Sequence, residues 1–146
     1  MPVKKYAKYI ITDLVMTEAQ KQEDIRIQYA KWATRINNVK TDITGAYNVG
    51  CAWYSKVPPE QLTAHKHDYD KLLGFYGSDP ENPHDLGGEI EFGLENEKYV
   101  LTKSFIIFVP RGVEHSMTIR KVDRPIFTFG VVQPAPQKIS KTDDIM

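Results

Sequence analysis

His65 and His67 stand two residues apart, and His115 follows far down the chain. Imidazole nitrogens are common ligands for divalent transition metals, and a pair at i, i+2 points to one face wherever the backbone is extended. The chemistry these three residues can do together is metal coordination, provided that strands bring His115 to the pair. The flanking residues read as strands. Thr63 to Tyr76 is an extended apolar and aromatic run closed by Gly77, and Phe105-Ile106-Ile107-Phe108-Val109 is β-branched and aromatic ahead of the turn-forming Pro110-Arg111-Gly112-Val113-Glu114. Three imidazoles without thiolates suit Fe, Mn, Ni, Cu or Zn better than Mg or Ca.

An HxH pair with a downstream glycine, followed by PxGxxH, resembles the two characteristic motifs of the cupin superfamily over positions 45 to 130. The resemblance implies an all-β, single-domain, jelly-roll β-barrel. It also implies that the first motif supplies two His and a Glu, and the second one His, to a divalent metal. Carried over, the metal ligands are His65, His67 and His115. In the second motif Pro110, Gly112 and His115 keep their spacing, while Ser104 stands where the family usually has Gly and Ile119 where it has Asn. In the first motif Pro59 takes the place of the leading Gly, and the expected Glu falls on Lys71 or Leu72. Asp70, one place early but at the family's usual interval to Gly77, is the fourth candidate ligand. Strand alternation instead puts Lys71 on the metal-facing side unless a bulge intervenes. An ammonium there opposes a divalent cation, so Asp70, Lys71 and neither remain three ways to finish the site.

A chain of 146 residues with 41% hydrophobic content suits one domain with a real core. Formal net charge is zero and the pI is near 6.9, which gives no basic footprint for nucleic acid or an anionic membrane. Met1 to Tyr9 lacks the continuous apolar segment of a signal peptide, so a cytoplasmic location is expected. Cys51 is the single cysteine and cannot form an internal disulfide; between Gly50 and Ala52 in an extended run, it reads as a small buried core thiol.

The chain divides into an N-terminal segment, 1–41, a barrel, 42–132, and a tail, 133–146. The first segment, a helix or strand packing on the barrel or on a partner, admits two patterns. Thr17 with Gln20 resembles a capping box, and Ile25, Tyr29, Trp32 and Ile36 recur at helical spacing; Ile25, Ile27 and Tyr29 also alternate, and the all-β context favours a strand. Later strands are expected over Ala46 to Ser55, Glu89 to Leu94, Tyr99 to Leu101, Phe105 to Val109, Ser116 to Arg120 and Ile126 to Val132, with a turn-rich loop from Gly77 to Gly88. His84, Glu89, Glu91, Arg111 and Glu114 read as solvent-facing. Tyr47, Trp53, Tyr54, Tyr69, Phe75, Tyr76, Phe127 and Phe129 sit at strand spacing, where core packing is the ordinary role and pocket lining the other.

These readings together give a metal-binding cupin-type protein that binds a small polar, carboxylate-bearing molecule. An ion on three His keeps open positions, so a substrate with two oxygens can chelate it and be activated, as an oxygenase, isomerase or decarboxylase would require. The alternative is a non-catalytic binding or sensing module with weak or no metal, because one scaffold hosts both kinds of protein. Nucleic acid and membrane are not expected as partners. A homodimer is expected from the family's habit and from an N-terminal segment that needs a cover.

Overall fold

The pairing of strands is nested. The computed structural model describes residues 4–12, 18–27, 29–36, 48–59 and 62–132. Within them a helix, α1 (Glu18–Arg26), precedes nine strands: β1 (Ala33–Ile36), β2 (Asn48–Tyr54), β3 (Leu62–His65), β4 (Lys71–Gly77), β5 (Asp85–Leu94), β6 (Glu97–Lys103), β7 (Phe105–Val109), β8 (His115–Val122) and β9 (Ile126–Val132). The hairpin β5–β6 lies innermost in sequence, β4 pairs with β7 around it, β3 with β8 around those, and β2 with β9 outermost, all antiparallel. Two sheets result, ordered β1-β2-β9-β4-β7 and β3-β8-β5-β6. A long hairpin rolled up in this way is a jelly roll, the double-sheet architecture that cupins share. The expected all-β jelly roll is the observed one.

Alternation along each strand builds the core between the sheets. Lys71, Leu73 and Phe75 of β4, Ile90 and Phe92 of β5, and His115, Met117 and Ile119 of β8 are all buried. The rings of Phe75 and Phe92 meet edge to face at 6.4 Å, and Phe105 stacks on Phe75 at 4.9 Å. The expected strand pattern needs two revisions. The run from Thr63 to Tyr76 is two strands, β3 and β4, which belong to different sheets. The loop expected from Gly77 to Gly88 is shorter, because Gly77 ends β4 and β5 already begins at Asp85. The two strands cross so closely at Gly77 that a Cβ there would stand 1.8 Å from the Asp85 carbonyl oxygen, which only glycine avoids.

The N-terminal segment departs further from expectation. Residues 18–26 form a helix rather than the favoured strand, and only Ala33–Ile36 is extended. Ile25 is 69% exposed, so no apolar stripe along the helix selects this conformation. Local polar pairs support it: Gln22 Nε2 donates to Glu18 at 3.1 Å, and Arg26 pairs with Glu23 at 2.7 Å. Asp24 then pairs with Arg35 of β1, whose guanidinium also lies 4.5 Å over the Tyr29 ring. Tyr29 and Trp32 are buried, and Trp32 stacks on Tyr54 at 5.9 Å, so the segment packs on its own barrel through aromatic rings. Thr17 of the expected capping box, Tyr47 and the tail 133–146 lie outside the described residues. No helix among the described residues is long and apolar enough to cross a membrane.

Candidate metal centre

Residues 65 to 71 carry the chain from the four-stranded sheet to the five-stranded one, and their side chains alternate all the way. His65 and His67 are partly buried and Tyr69 and Lys71 fully so, while Lys66, Asp68 and Asp70 are exposed. Exposure follows residue parity through the crossing, and every odd-numbered residue of it turns inward. β8 supplies the third imidazole. In the β3–β8 register His65 stands directly opposite His115, a cross-strand pair whose rings are 4.3 Å apart. His67 lies 4.7 Å from His65 and 4.9 Å from His115. One nitrogen from each of the three lies within 4.8 Å of the others.

The His115 ring is set as one neutral tautomer. Its Nδ1 lies 3.1 Å from the Val113 carbonyl oxygen, which can only accept, so Nδ1 carries the proton and Nε2 presents a lone pair. That Nε2 is buried and makes no hydrogen bond. Burial pushes the His115 pKa down to about 4; the bond to Val113 opposes this, and the charges of His65, His67 and Lys71 add to it. The ring is clamped by Phe92, parallel to it within 3° at 6.2 Å, just as Tyr69 lies within 8° of parallel on His67 at 4.9 Å.

The turn before His115 is fastened to the first motif. The Gly112 N–H donates to the His67 carbonyl at 2.9 Å, and the Arg111 N–H donates to Asp70 Oδ1 at 2.8 Å. Gly112 has φ +78°, the left-handed conformation that makes glycine the residue for this turn. Asp70 therefore does not join the three imidazoles: it faces solvent by parity, and its carboxylate holds the neighbouring turn. Lys71 occupies the inward position, 3% exposed and close enough for its charge to act on His115.

The remaining candidates lie elsewhere. Glu91 pairs with Arg120 at 2.7 Å, and the hydrogen bond from that guanidinium holds its carboxyl below the usual range. His84, Arg111 and Glu114 are exposed, and Glu89, half-buried, shares the outward face of β5 with Glu91. Cys51 corrects the expectation of a core thiol: Ala52 and Tyr54 take the inward positions of β2, leaving Cys51 half-buried on the outer face, where burial raises its thiol pKa. Sequence reasoning missed two contributors, the Val113 carbonyl and the Phe92 ring. A backbone acceptor leaves no mark in the sequence; Phe92 was accessible through the alternation of β5.

The donor set fits a transition metal. Among the described residues the group able to hold an ion is His65, His67 and His115, with an orphaned buried nitrogen and no thiolate. Neither a protein-family model nor a curated protein sequence matches this chain. Among solved structures it is similar to the cupin domain of Schizosaccharomyces pombe Cnp3, with 12% identity, 69% of this chain and 60% of that chain covered and a TM-score of 0.49. It is also similar to an RmlC-like cupin from Shewanella frigidimarina, with 15% identity, 72% and 77% covered and a TM-score of 0.45. A third is KdgF from Halomonas sp., with 16% identity, 73% and 78% covered and a TM-score of 0.45. This chain spans less than two thirds of the Cnp3 domain's length. At such identities these are likenesses of fold. Nested pairing and the HxH and PxGxxH motifs together define a cupin-type jelly roll with a three-histidine centre.

Proposed function

We propose that this jelly roll holds a divalent transition metal on His65, His67 and His115 and uses it to bind a small polar molecule that carries a carboxylate. The observation that carries the reading is the His115 imidazole. Its protonated Nδ1 is fixed by Val113, and its buried Nε2 has no other bond to make. A buried polar atom without a partner costs free energy unless a ligand satisfies it. When bound, the metal would supply Lewis acidity and open coordination positions for two oxygens of a small acid. The chain's own contribution is to hold three imidazoles in one orientation between the sheets and to exclude bulk water with Phe92 and Tyr69. Fe, Mn, Ni, Cu and Zn all suit this donor set. Three histidine donors, which leave coordination positions of an ion open, also support a second reading, turnover of the bound acid by an oxygenase, isomerase or decarboxylase reaction.

The test is elemental analysis of protein purified without an affinity tag, followed by metal titration of wild type, His67→Ala and His115→Ala. About one equivalent per wild-type chain is expected, with affinity at least about tenfold weaker in either variant. Equal binding by all three proteins rejects the centre.

A further inference from the structure

We propose that the outer face of the five-stranded sheet is the contact surface between two copies of this chain, packed face to face about a two-fold axis. The inference is independent of the metal centre. The alternation that sends Ala52, Leu73, Val109 and Thr128 inward sends their neighbours on β2, β4, β7 and β9 outward. The outward positions of these four strands hold no charged residue, and Trp53, Tyr76, Phe127 and Phe129 lie among them. The register sets the rings side by side. Phe127 stands opposite both Trp53 and Tyr76, and Phe129 opposite both Cys51 and Gly74. The Phe129 ring lies across Gly74, where a Cβ would collide with it, and stacks on Tyr76 at 5.7 Å. At the sheet edge, Ile106 and Phe108 of β7 are 58% and 56% exposed.

An antiparallel sheet with one face on the core ordinarily turns a polar face to water. The four-stranded sheet follows that rule: Glu89 and Glu91 of β5 and Thr118 and Arg120 of β8 stand outward, and Glu91 pairs with Arg120 at 2.7 Å. The five-stranded sheet is apolar on both sides, the pattern of a sheet packed between two layers. Four strands spaced about 4.8 Å apart and rising about 3.4 Å per residue present an outer face of about 20 by 24 Å. Two such faces bury about 1,000 Å² together, the size at which specific interfaces begin. Charge favours a second copy as the occupant. Lys and Arg number 19 and Asp and Glu 19, so two copies approach without net repulsion, and an uncharged patch is complementary to itself across a two-fold axis. A lipid surface is the poorer match, because the outward positions of these strands offer no lysine or arginine to anionic headgroups.

Sedimentation equilibrium of the full chain tests the assembly, and Cys51, the single cysteine, reports on the face itself because it stands outward beside Phe129. Wild type should dimerise with a Kd of about 10 µM or tighter. Alkylation of Cys51 by iodoacetamide should slow as the protein concentration rises through that Kd. The double variant Ile106→Lys with Phe108→Lys puts two charges at exposed positions of the face; it should keep the wild-type circular dichroism spectrum and weaken the dimer at least about tenfold. Thr118→Lys, on the outer face of the other sheet, should leave the dimer unchanged. Wild type that is monomeric at about 100 µM overturns the proposal, whether solvent or another part of the same chain meets the face. A monomer that floats with vesicles of phosphatidylcholine and phosphatidylserine overturns it in favour of lipid. A dimer whose Cys51 reacts at one rate at every concentration joins through a different surface and overturns it without recourse to any variant, as does a dimer that survives both lysines.

Discussion

Asp70 Oδ1 accepts a hydrogen bond of 2.8 Å from the backbone N–H of Arg111, which joins the residue that closes the first motif to the turn that opens the second. The carboxylate is thereby spent on the scaffold. Asp70→Asn keeps an oxygen acceptor at that position, so metal affinity should stay within about twofold of wild type. Asp70→Ala removes the acceptor and should lower stability by about 1 kcal/mol. Metal titration and urea unfolding of the two variants check both outcomes. A metal affinity lost in Asp70→Asn would instead make Asp70 a ligand.

Gly112 offers a sharper test of the fastening. No atom crowds a Cβ at this position, but φ is +78°, so Gly112→Ala meets backbone strain alone. The substitution should cost about 1 kcal/mol of stability. It should also weaken metal binding, although residue 112 is no ligand, because its N–H positions the His67 carbonyl at 2.9 Å. Unchanged metal affinity in a destabilised Gly112→Ala protein would separate the turn from the site.

The metal-free protein should lose stability in mild acid. The folded pKa of His115 is about 4 against an ordinary value of 6.5, so between these values the unfolded chain binds more protons than the folded one. The stability contribution is complete above pH 6.5 and is lost as pH falls towards 4. Its full size is about 3 kcal/mol. Urea unfolding at both ends of this window, in wild type and in His115→Gln, reads the term as the difference in slope; parallel pH profiles would refute it.

Phe92 couples the core to the site. It is fully buried, meets Phe75 edge to face and lies parallel to His115. Phe92→Ala should destabilise by about 3–5 kcal/mol, and Phe92→Leu by less. The leucine variant should remain folded yet bind metal more weakly, because the imidazole loses the flat surface that fixes its plane. Thermal unfolding and metal titration of the same preparation separate the two effects, and full metal affinity in Phe92→Leu would count against the clamp.

The three-histidine cluster was legible because strand parity and a turn motif are both written in residue order. Parity also identified Lys71 as the inward residue and Asp70 as the outward one. The break between β3 and β4 was hidden by the same regularity: alternation runs unbroken from His65 to Lys71 while the backbone changes sheets, so one long strand and two short ones look alike. The N-terminal helix was obscured for the opposite reason. Ile25 and Ile27 suggest a strand face, yet Ile25 is exposed, and the helix instead carries side-chain pairs of Glu18 with Gln22 and of Glu23 with Arg26. The acceptor role of Asp70 depends on a turn remote in sequence, which no local pattern reveals.

The nested pairing also sets a timetable. Closing the β5–β6 hairpin orders the shortest length of chain, and each enclosing pair must wait for a longer loop to close, out to β2 with β9. His65 and His115 belong to the third pair from the inside, so they become neighbours only after most of the roll has zipped. A nascent chain still lacking β8 has two of the three imidazoles and lacks the third that completes the group. In refolding experiments, Co(II) absorption should consequently rise with the last kinetic phase, and a colour that develops ahead of tertiary structure would contradict this order of events.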